Sequence, residues 1–240
     1  MMRTLGVDLA SSPARTAACV IRWEAGAARV AHLQAGVDDD ELRRLVADVD
    51  KVGIDVPFGW PDGFVASVSA HHKMEPWPGF DSVDLRLRRT DEFVWRRTRR
   101  QPLSVSADKL AVPAFRAARL LSEWQADRTG AGRFVEVYPR AARASFELDR
   151  TRSIEELHER APWLTLAPDH EMACEQNEDC FDALISALVA RASALGLCEP
   201  IPDDLLESAR REGWIALPLV GSLEQLAREA TAGEAPVRPN

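Results

Sequence analysis

Three short apolar segments each carry a single acidic residue where a core residue is expected. Asp8 lies in Leu5-Gly6-Val7-Asp8-Leu9, Asp55 in Val52-Gly53-Ile54-Asp55-Val56, and Glu136 in Phe134-Val135-Glu136-Val137-Tyr138. In the first two, Gly-Val or Gly-Ile precedes the acid. An unpaired carboxylate in an apolar interior is costly, so each must take a proton, meet a cation or reach the edge of a sheet. The segments read as buried strands, and helical stretches separate them. Strands joined that way run parallel through right-handed crossovers, which brings like ends together. The acids can then converge at the carboxyl end of one sheet.

The remaining pattern supplies the rest of an α/β domain. Arg3 to Leu9, Thr16 to Trp23 and Arg29 to Gln34 read as three strands that meander antiparallel, with a turn at Glu24-Ala25-Gly26-Ala27. Asp38-Asp39-Asp40 offers a cap and acidic first turn for a helix through Val49. After the fourth strand, Pro57 opens an irregular, arginine-rich insertion over residues 57–105 in which short helices are expected; long segments of this kind commonly serve as lids or binding elements. A helix is expected from Ser106 to Arg128, bent or delayed by Pro113, then a strand from Arg133 to Tyr138 and one or two short helices between Ala141 and Arg160. The longest helical pattern runs from Glu171 to Ala194, with Phe181, Leu184, Ile185, Leu188 and Val189 on its apolar face and Gly196 as its cap. Asp203 to Arg211 reads as helix, Trp214 to Leu217 as strand and Leu223 to Glu229 as helix. The expected fold is a mixed five-stranded sheet flanked by helices, in a single domain over residues 1–231 with a loose tail at 232–240.

Composition narrows the function classes. The net charge is −8, from 30 Lys and Arg against 38 Asp and Glu, opposite to the usual balance of a general nucleic-acid binder. Lys51, Lys73 and Lys109 are the only lysines, so positive charge is almost all arginine. The cysteines, Cys19, Cys174, Cys180 and Cys198, form no C-x-x-C pair, which argues against a disulfide scaffold or zinc ribbon and for a reduced, cytoplasmic chain. No apolar run approaches the ~20 residues of a membrane span, and the first residues meet a charge too early for a secretory signal.

A further acid can come from the long helical pattern. Glu178, Asp179 and Asp182 share roughly one face, beside the apolar stripe that starts at Phe181. Oxygen-only ligands favour a hard cation, Mg²⁺ or Mn²⁺. Carboxylates holding such ions activate water and stabilise a leaving oxygen at phosphate. The alternative for each acid is a strand-end cap or an arginine pair. Arg86, Arg88, Arg89, Arg96, Arg97, Arg99 and Arg100 are interleaved with Phe93 and Trp95, which fits either a phosphate-binding and stacking element or a solvated face paired with Asp84, Asp91 and Glu92. His71-His72 reads as surface histidine, and Trp60, Trp77 and Trp95 as a local hydrophobic cluster.

Six blocks carry a resemblance: Gly6-Val-Asp8-Leu-Ala10, Ile54-Asp55-Val-Pro57-Phe-Gly-Trp-Pro61, Arg89-Thr90-Asp91, Val135-Glu136-Val137-Tyr138-Pro139, Asp182-Ala183-Leu-Ile-Ser-Ala187 and Glu212-Gly213-Trp214-Ile215. They resemble, in order, the blocks of the domain of unknown function 429 family, described as RNase H-like nucleases. The resemblance implies an RNase H-like fold, with metal-binding and catalytic roles for Asp8, Asp55, Glu136 and Asp182 and an auxiliary metal role for Asp179. It also marks Arg89 and Asp91 as substrate-binding candidates, beside Arg96 and Arg97 of the arginine stretch. The activity expected is a Mg²⁺- or Mn²⁺-dependent phosphodiesterase acting on nucleic acid or nucleotides. Two alternatives stand beside it. Gly6-Val-Asp8-Leu-Ala-Ser-Ser also resembles the first phosphate loop of sugar-kinase and actin-type phosphotransferases, and a non-catalytic binding protein could keep the same fold.

Overall fold

Leu5 and Val7 alternate with Thr4, Gly6 and Asp8, so β1 (Met2–Asp8) has two different faces, and the sheet is built outward from it. β2 (Ala17–Glu24) pairs antiparallel with β1, and β3 (Ala27–Ala35) antiparallel with β2 through a turn at Gly26, whose φ is 73°. On the other side of β1, β4 (Lys51–Asp55) and then β5 (Phe134–Glu136) run parallel to it. The computed structural model describes residues 1–148 and 152–228. Across those residues one mixed sheet has the order β5-β4-β1-β2-β3-β6, flanked by nine α-helices.

The sixth strand, β6 (Leu164–Thr165), was not anticipated. It spans only two residues, parallel to β3, too short for any periodicity to show. Conversely, Trp214 to Leu217 makes no strand; Ile215 forms a single bridge to Glu136. The expected helix at Leu223 shortens to a 3-10 turn, Ser222–Gln225, while Glu229 and the tail at 232–240 lie outside the described residues.

Each sheet face carries its own core. On one side Leu5, Val7, Val20, Val52, Ile54 and Phe134 pack with Leu42 and Val46 of α1 (Asp39–Ala47) and Leu120 and Leu121 of α4 (Ala111–Glu123). Asp38 caps α1 by accepting the Glu41 N–H at 2.8 Å. The insertion is more ordered than its prolines suggest. It contains α2 (Asp62–His72) and α3 (Arg89–Thr98). The opposite sheet face, through Cys19, Ile21, Val135 and Val137, packs under Phe181, Leu184, Ile185 and Leu188 of α8 (Glu178–Ala194).

The long helical pattern is in fact two helices. α7 (Pro168–Gln176) ends at Asn177, whose extended backbone (φ −135°, ψ 113°) breaks the run. The Asn177 side chain accepts the Asp179 N–H at 2.9 Å and starts α8. That break places Glu178, Asp179 and Asp182 in the opening turns of α8. At the other end, Arg191 donates to the carbonyls of Leu226 at 3.1 Å and Arg228 at 2.8 Å, and its guanidinium lies 4.9 Å from the Trp23 ring centroid. α8 therefore runs antiparallel to β1. None of the described helices is long and apolar enough to cross a membrane.

Candidate functional site

The site begins with two glycines. Gly6 and Gly53 are register partners on β1 and β4, and Asp8 and Asp55, two residues on, are partners too. A period of two puts all four on the sheet face that α8 covers. A Cβ on Gly6 would lie 2.0 Å from the Ala183 carbonyl oxygen, and one on Gly53 2.4 Å from that of Ser186. Absence of side chains lets the helix backbone rest directly on the strands. Asp182 immediately precedes Ala183, so the same contact brings it beside the two strand-end aspartates.

Burial raises the affinity of these carboxyls for protons, and mutual repulsion adds to it. Asp8 is pushed up to about 8 by desolvation and then by Asp182 and Asp179. Asp55 is raised well above its ordinary value by burial, then by Asp8 and Asp182. Asp182 is raised by burial against the opposing pull of Arg152. Its Oδ2 accepts from Arg152 Nη2 at 3.1 Å, while its Oδ1 is buried with no hydrogen-bond partner. No hydrogen bond among the described residues reaches either the Asp8 or the Asp55 carboxylate. Asp179 is differently placed: Arg15 holds both its oxygens, at 3.0 and 3.2 Å.

Glu136 stands apart, on the other face of the sheet. Its register partner is Ile54, not Asp55, and its strand neighbour Phe134 packs into the α1 and α4 core. Arg88 donates to both Glu136 oxygens, at 2.9 and 2.7 Å, and the Phe58 N–H adds a bond at 2.9 Å. The same guanidinium grips both oxygens of Asp91, at 3.2 and 2.9 Å. Burial opposes the charge of Arg88, but Asp91 and Glu136 together hold its pKa above the ordinary arginine value. Glu212 completes the junction, accepting the N–H of Asp62 at 2.8 Å and of Arg89 at 2.7 Å. This buried network ties the insertion to β5 and to α9 (Leu206–Glu212). Arg88→Met should therefore lower unfolding free energy by ~3–5 kcal/mol, since it strands two buried acids. Urea denaturation measures this; a loss below ~1 kcal/mol would show the triad to be dispensable.

The other sequence-derived binding candidates are engaged locally. Asp91 is wholly buried against Arg88, so it offers nothing to an incoming ligand. Arg89 pairs with Asp84 at 3.3 Å and Glu92 at 3.2 Å, Arg96 with Glu92 at 3.1 Å, and Arg97 with Glu199 at 2.8 Å. Arg88, Arg89 and Arg96 thus pair with Asp91, Asp84 and Glu92, the partners of the paired-face alternative, while Arg97 pairs with Glu199. His71 and His72 are exposed at the end of α2. Trp60 packs on Phe115 at 5.4 Å, whereas Trp77 and Trp95 are exposed rather than clustered.

Sequence reasoning missed several arginines beside the acids. Arg15 and Arg152 contact the α8 carboxylates directly. Arg140 and Arg143 lie on α5 (Pro139–Ser145), which packs against α8. Their signal was the Tyr138-Pro139-Arg140 continuation of the Glu136 block, which starts a helix with proline in its first turn.

Among the described residues no group of three or more His, Cys, Asp or Glu side chains stands ready to hold a metal ion. Mg²⁺, however, is commonly held by one or two carboxylates with water filling its shell. Asp8 and Asp55 meet that requirement as a register pair, and the orphaned Oδ1 of Asp182 is a further hard donor. The donor set fits such an ion. A family model described as "Protein of unknown function (DUF429)" matches residues 6–207. No curated protein and no solved structure matches the chain.

Proposed function

That match places the chain in the DUF429 family, whose model is described only as a protein of unknown function, and we propose from the site itself that it is a divalent-metal-dependent phosphodiesterase of RNase H-like type, acting on nucleic acid or nucleotides. One observation carries the reading: Asp8 and Asp55 end adjacent parallel strands in register, and α8 delivers Asp182 to the same sheet face. Three antiparallel strands followed by parallel β4 and β5, with acids on the first and fourth strands and on a late helix, support the RNase H-like assignment.

Asp8 and Asp55 would hold Mg²⁺ or Mn²⁺, assisted by Asp182. Bound there, the ion supplies Lewis acidity at phosphate and a water made more acidic. Arg152 orients Asp182 through Oδ2, leaving Oδ1 turned away from that pair. Arg15 keeps Asp179 occupied, so Asp179 takes a supporting place. Glu136 anchors the insertion through Arg88.

The test is hydrolysis of single- and double-stranded oligonucleotides and of bis(p-nitrophenyl) phosphate with Mn²⁺, with Asp55→Asn alongside. Wild-type turnover that disappears in EDTA and in the variant is the expected result. Undiminished turnover in Asp55→Asn, or none in the wild type across the panel, would overturn the reading.

A further inference from the structure

A groove opens at the carboxyl end of β1, on the side of the sheet that carries α1 and α4 rather than α8. Its volume is about 730 Å³, within the ~300–1,000 Å³ of small-molecule sites. Ser11 and Pro13 line it from the loop after β1, and Val112 and Phe115 from α4. α4 buries Ala114, Ala117, Leu120 and Leu121 in the core, yet Phe115 is 64% and Val112 60% exposed. These two stand three residues apart and share a second apolar face that the core does not use. Trp60, in the loop after Asp55, packs on Phe115 with ring centroids 5.4 Å apart. The loop between β1 and β2 joins this groove to the acid site. Its Arg15 holds Asp179 at 3.0 and 3.2 Å. On the groove side, Arg116 of α4 donates to the Ala10 carbonyl at 2.8 Å and to Thr16 Oγ1 at 2.6 Å. Ala10 follows Asp8 by two residues, at most ~7 Å of chain.

The charged residues of the groove are matched among themselves, Arg43, Arg116 and Arg119 by Asp38, Asp39 and Asp40. Asp39 pairs with Arg116 at 2.6 Å and with Arg119, and Arg43 pairs with Asp40 at 2.7 Å and Glu123 at 3.0 Å. These pairs pin α1 to α4, so the walls are set before a ligand arrives. With its charges balanced and its aromatic face bare, the groove suits a flat, uncharged group. A nucleobase is such a group, and whichever base it is has a face to stack on an aromatic ring. The acids face α8, whereas the groove lies across the edge of the sheet. A ligand that engages both extends past the nucleotide under attack, as a strand does and a single nucleotide does not. Bases within a duplex are already stacked and paired, so the base taken up is an unpaired one. We propose that the groove is a base-binding subsite for single-stranded nucleic acid, in which Phe115, braced by Trp60, stacks a base neighbouring the phosphate at Asp8 and Asp55. The inference deepens the phosphodiesterase reading and rests on it for where that phosphate lies; binding of the base does not require turnover.

The experiment is titration of the full chain, in EDTA, with four probes: a short oligothymidylate, an abasic oligomer of equal length, the oligothymidylate in duplex with its complement, and thymidine monophosphate. The wild type should bind the single strand most tightly. Phe115→Ala should weaken that binding by about tenfold and leave the abasic oligomer bound as before. The slope of log affinity against log salt should not change, because no charge is lost. Phe115→Tyr keeps the ring and should bind as the wild type does. Trp77→Ala removes an exposed aromatic residue outside the groove and should also leave binding unchanged. Unchanged thermal melts show that the variants fold. Wild-type-like binding of the oligothymidylate by Phe115→Ala, an equal loss on the abasic oligomer, or no binding of the oligothymidylate by the wild type would overturn the subsite. Duplex or thymidine monophosphate bound as tightly as the single strand would overturn the strand as its occupant. Hydrolysis failing while Phe115-dependent binding persists would remove the phosphodiesterase reading and leave the base subsite standing.

Discussion

Gly6→Ala should leave the chain without a cooperative unfolding transition. The added Cβ would stand 2.0 Å from the Ala183 carbonyl oxygen and 2.2 Å from the Ala187 nitrogen, both backbone atoms of α8. Neither can rotate away, so the helix must lift. α8 carries the buried Phe181, Leu184, Ile185, Leu188 and Val189, and lifting it opens the whole of that sheet face. Ordinary overpacking costs ~1–3 kcal/mol because side chains adjust; here the backbone must, and the loss should approach the ~5–15 kcal/mol that holds a typical domain together. Gly53→Ala, with a 2.4 Å approach to the Ser186 carbonyl, should behave similarly. Gly79→Ala is the matched control, because nothing lies within 4 Å of its Cβ position and its φ is not left-handed. Circular dichroism during urea denaturation measures all three. A Gly6→Ala protein with a wild-type midpoint would mean that α8 does not rest on β1 as described.

The same glycines show how far the site was legible beforehand. Three acids in apolar strands looked equivalent, yet only Asp8 and Asp55 have glycine two residues before them; Glu136 has Phe134 there. Because strand residues two apart share a face, the glycines mark the face on which a helix backbone lies, and the phenylalanine marks a face filled by side chains. Glu136 accordingly meets Arg88 rather than the aspartates. The central strands followed directly from alternation and turn residues, since those signals are local. Arg88, Asp91 and Glu212 could not be read in this way, because the partners in their network lie up to 150 residues apart and only the folded insertion brings them together. Asn177 was readable in principle as a helix cap, but helical periodicity on both sides of it concealed the break.

Asp8→Asn should abolish metal-dependent cleavage and, in EDTA, make the protein more stable. The sign follows from the proton balance. The carboxyl of Asp8 titrates near 3.8 in the unfolded chain and near 8 in the folded one, chiefly through burial and the neighbouring Asp182 and Asp179. Between those pH values the folded state binds the proton that the unfolded state has released, so stability falls as pH rises, by up to ~1.4 kcal/mol per pH unit for one such group. Asparagine never ionises, so the variant loses this slope. At pH 8 it should melt about 5 °C above the wild type, a difference that shrinks towards pH 4. Mn²⁺ should act on the wild type in the opposite sense, offsetting the repulsion between Asp8 and Asp55. At a hundredfold excess over its dissociation constant it adds ~2.7 kcal/mol to a chain that binds it only when folded. That gain should be larger at pH 8, where protons no longer compete for the carboxylates, than at pH 5, and it should be lost in Asp8→Asn. Melts at both pH values, with EDTA or Mn²⁺, separate the two effects. A variant less stable than wild type at pH 8 in EDTA would show that the Asp8 carboxylate stabilises the fold by itself, and a wild-type melt indifferent to Mn²⁺ would leave the aspartate pair without a cation.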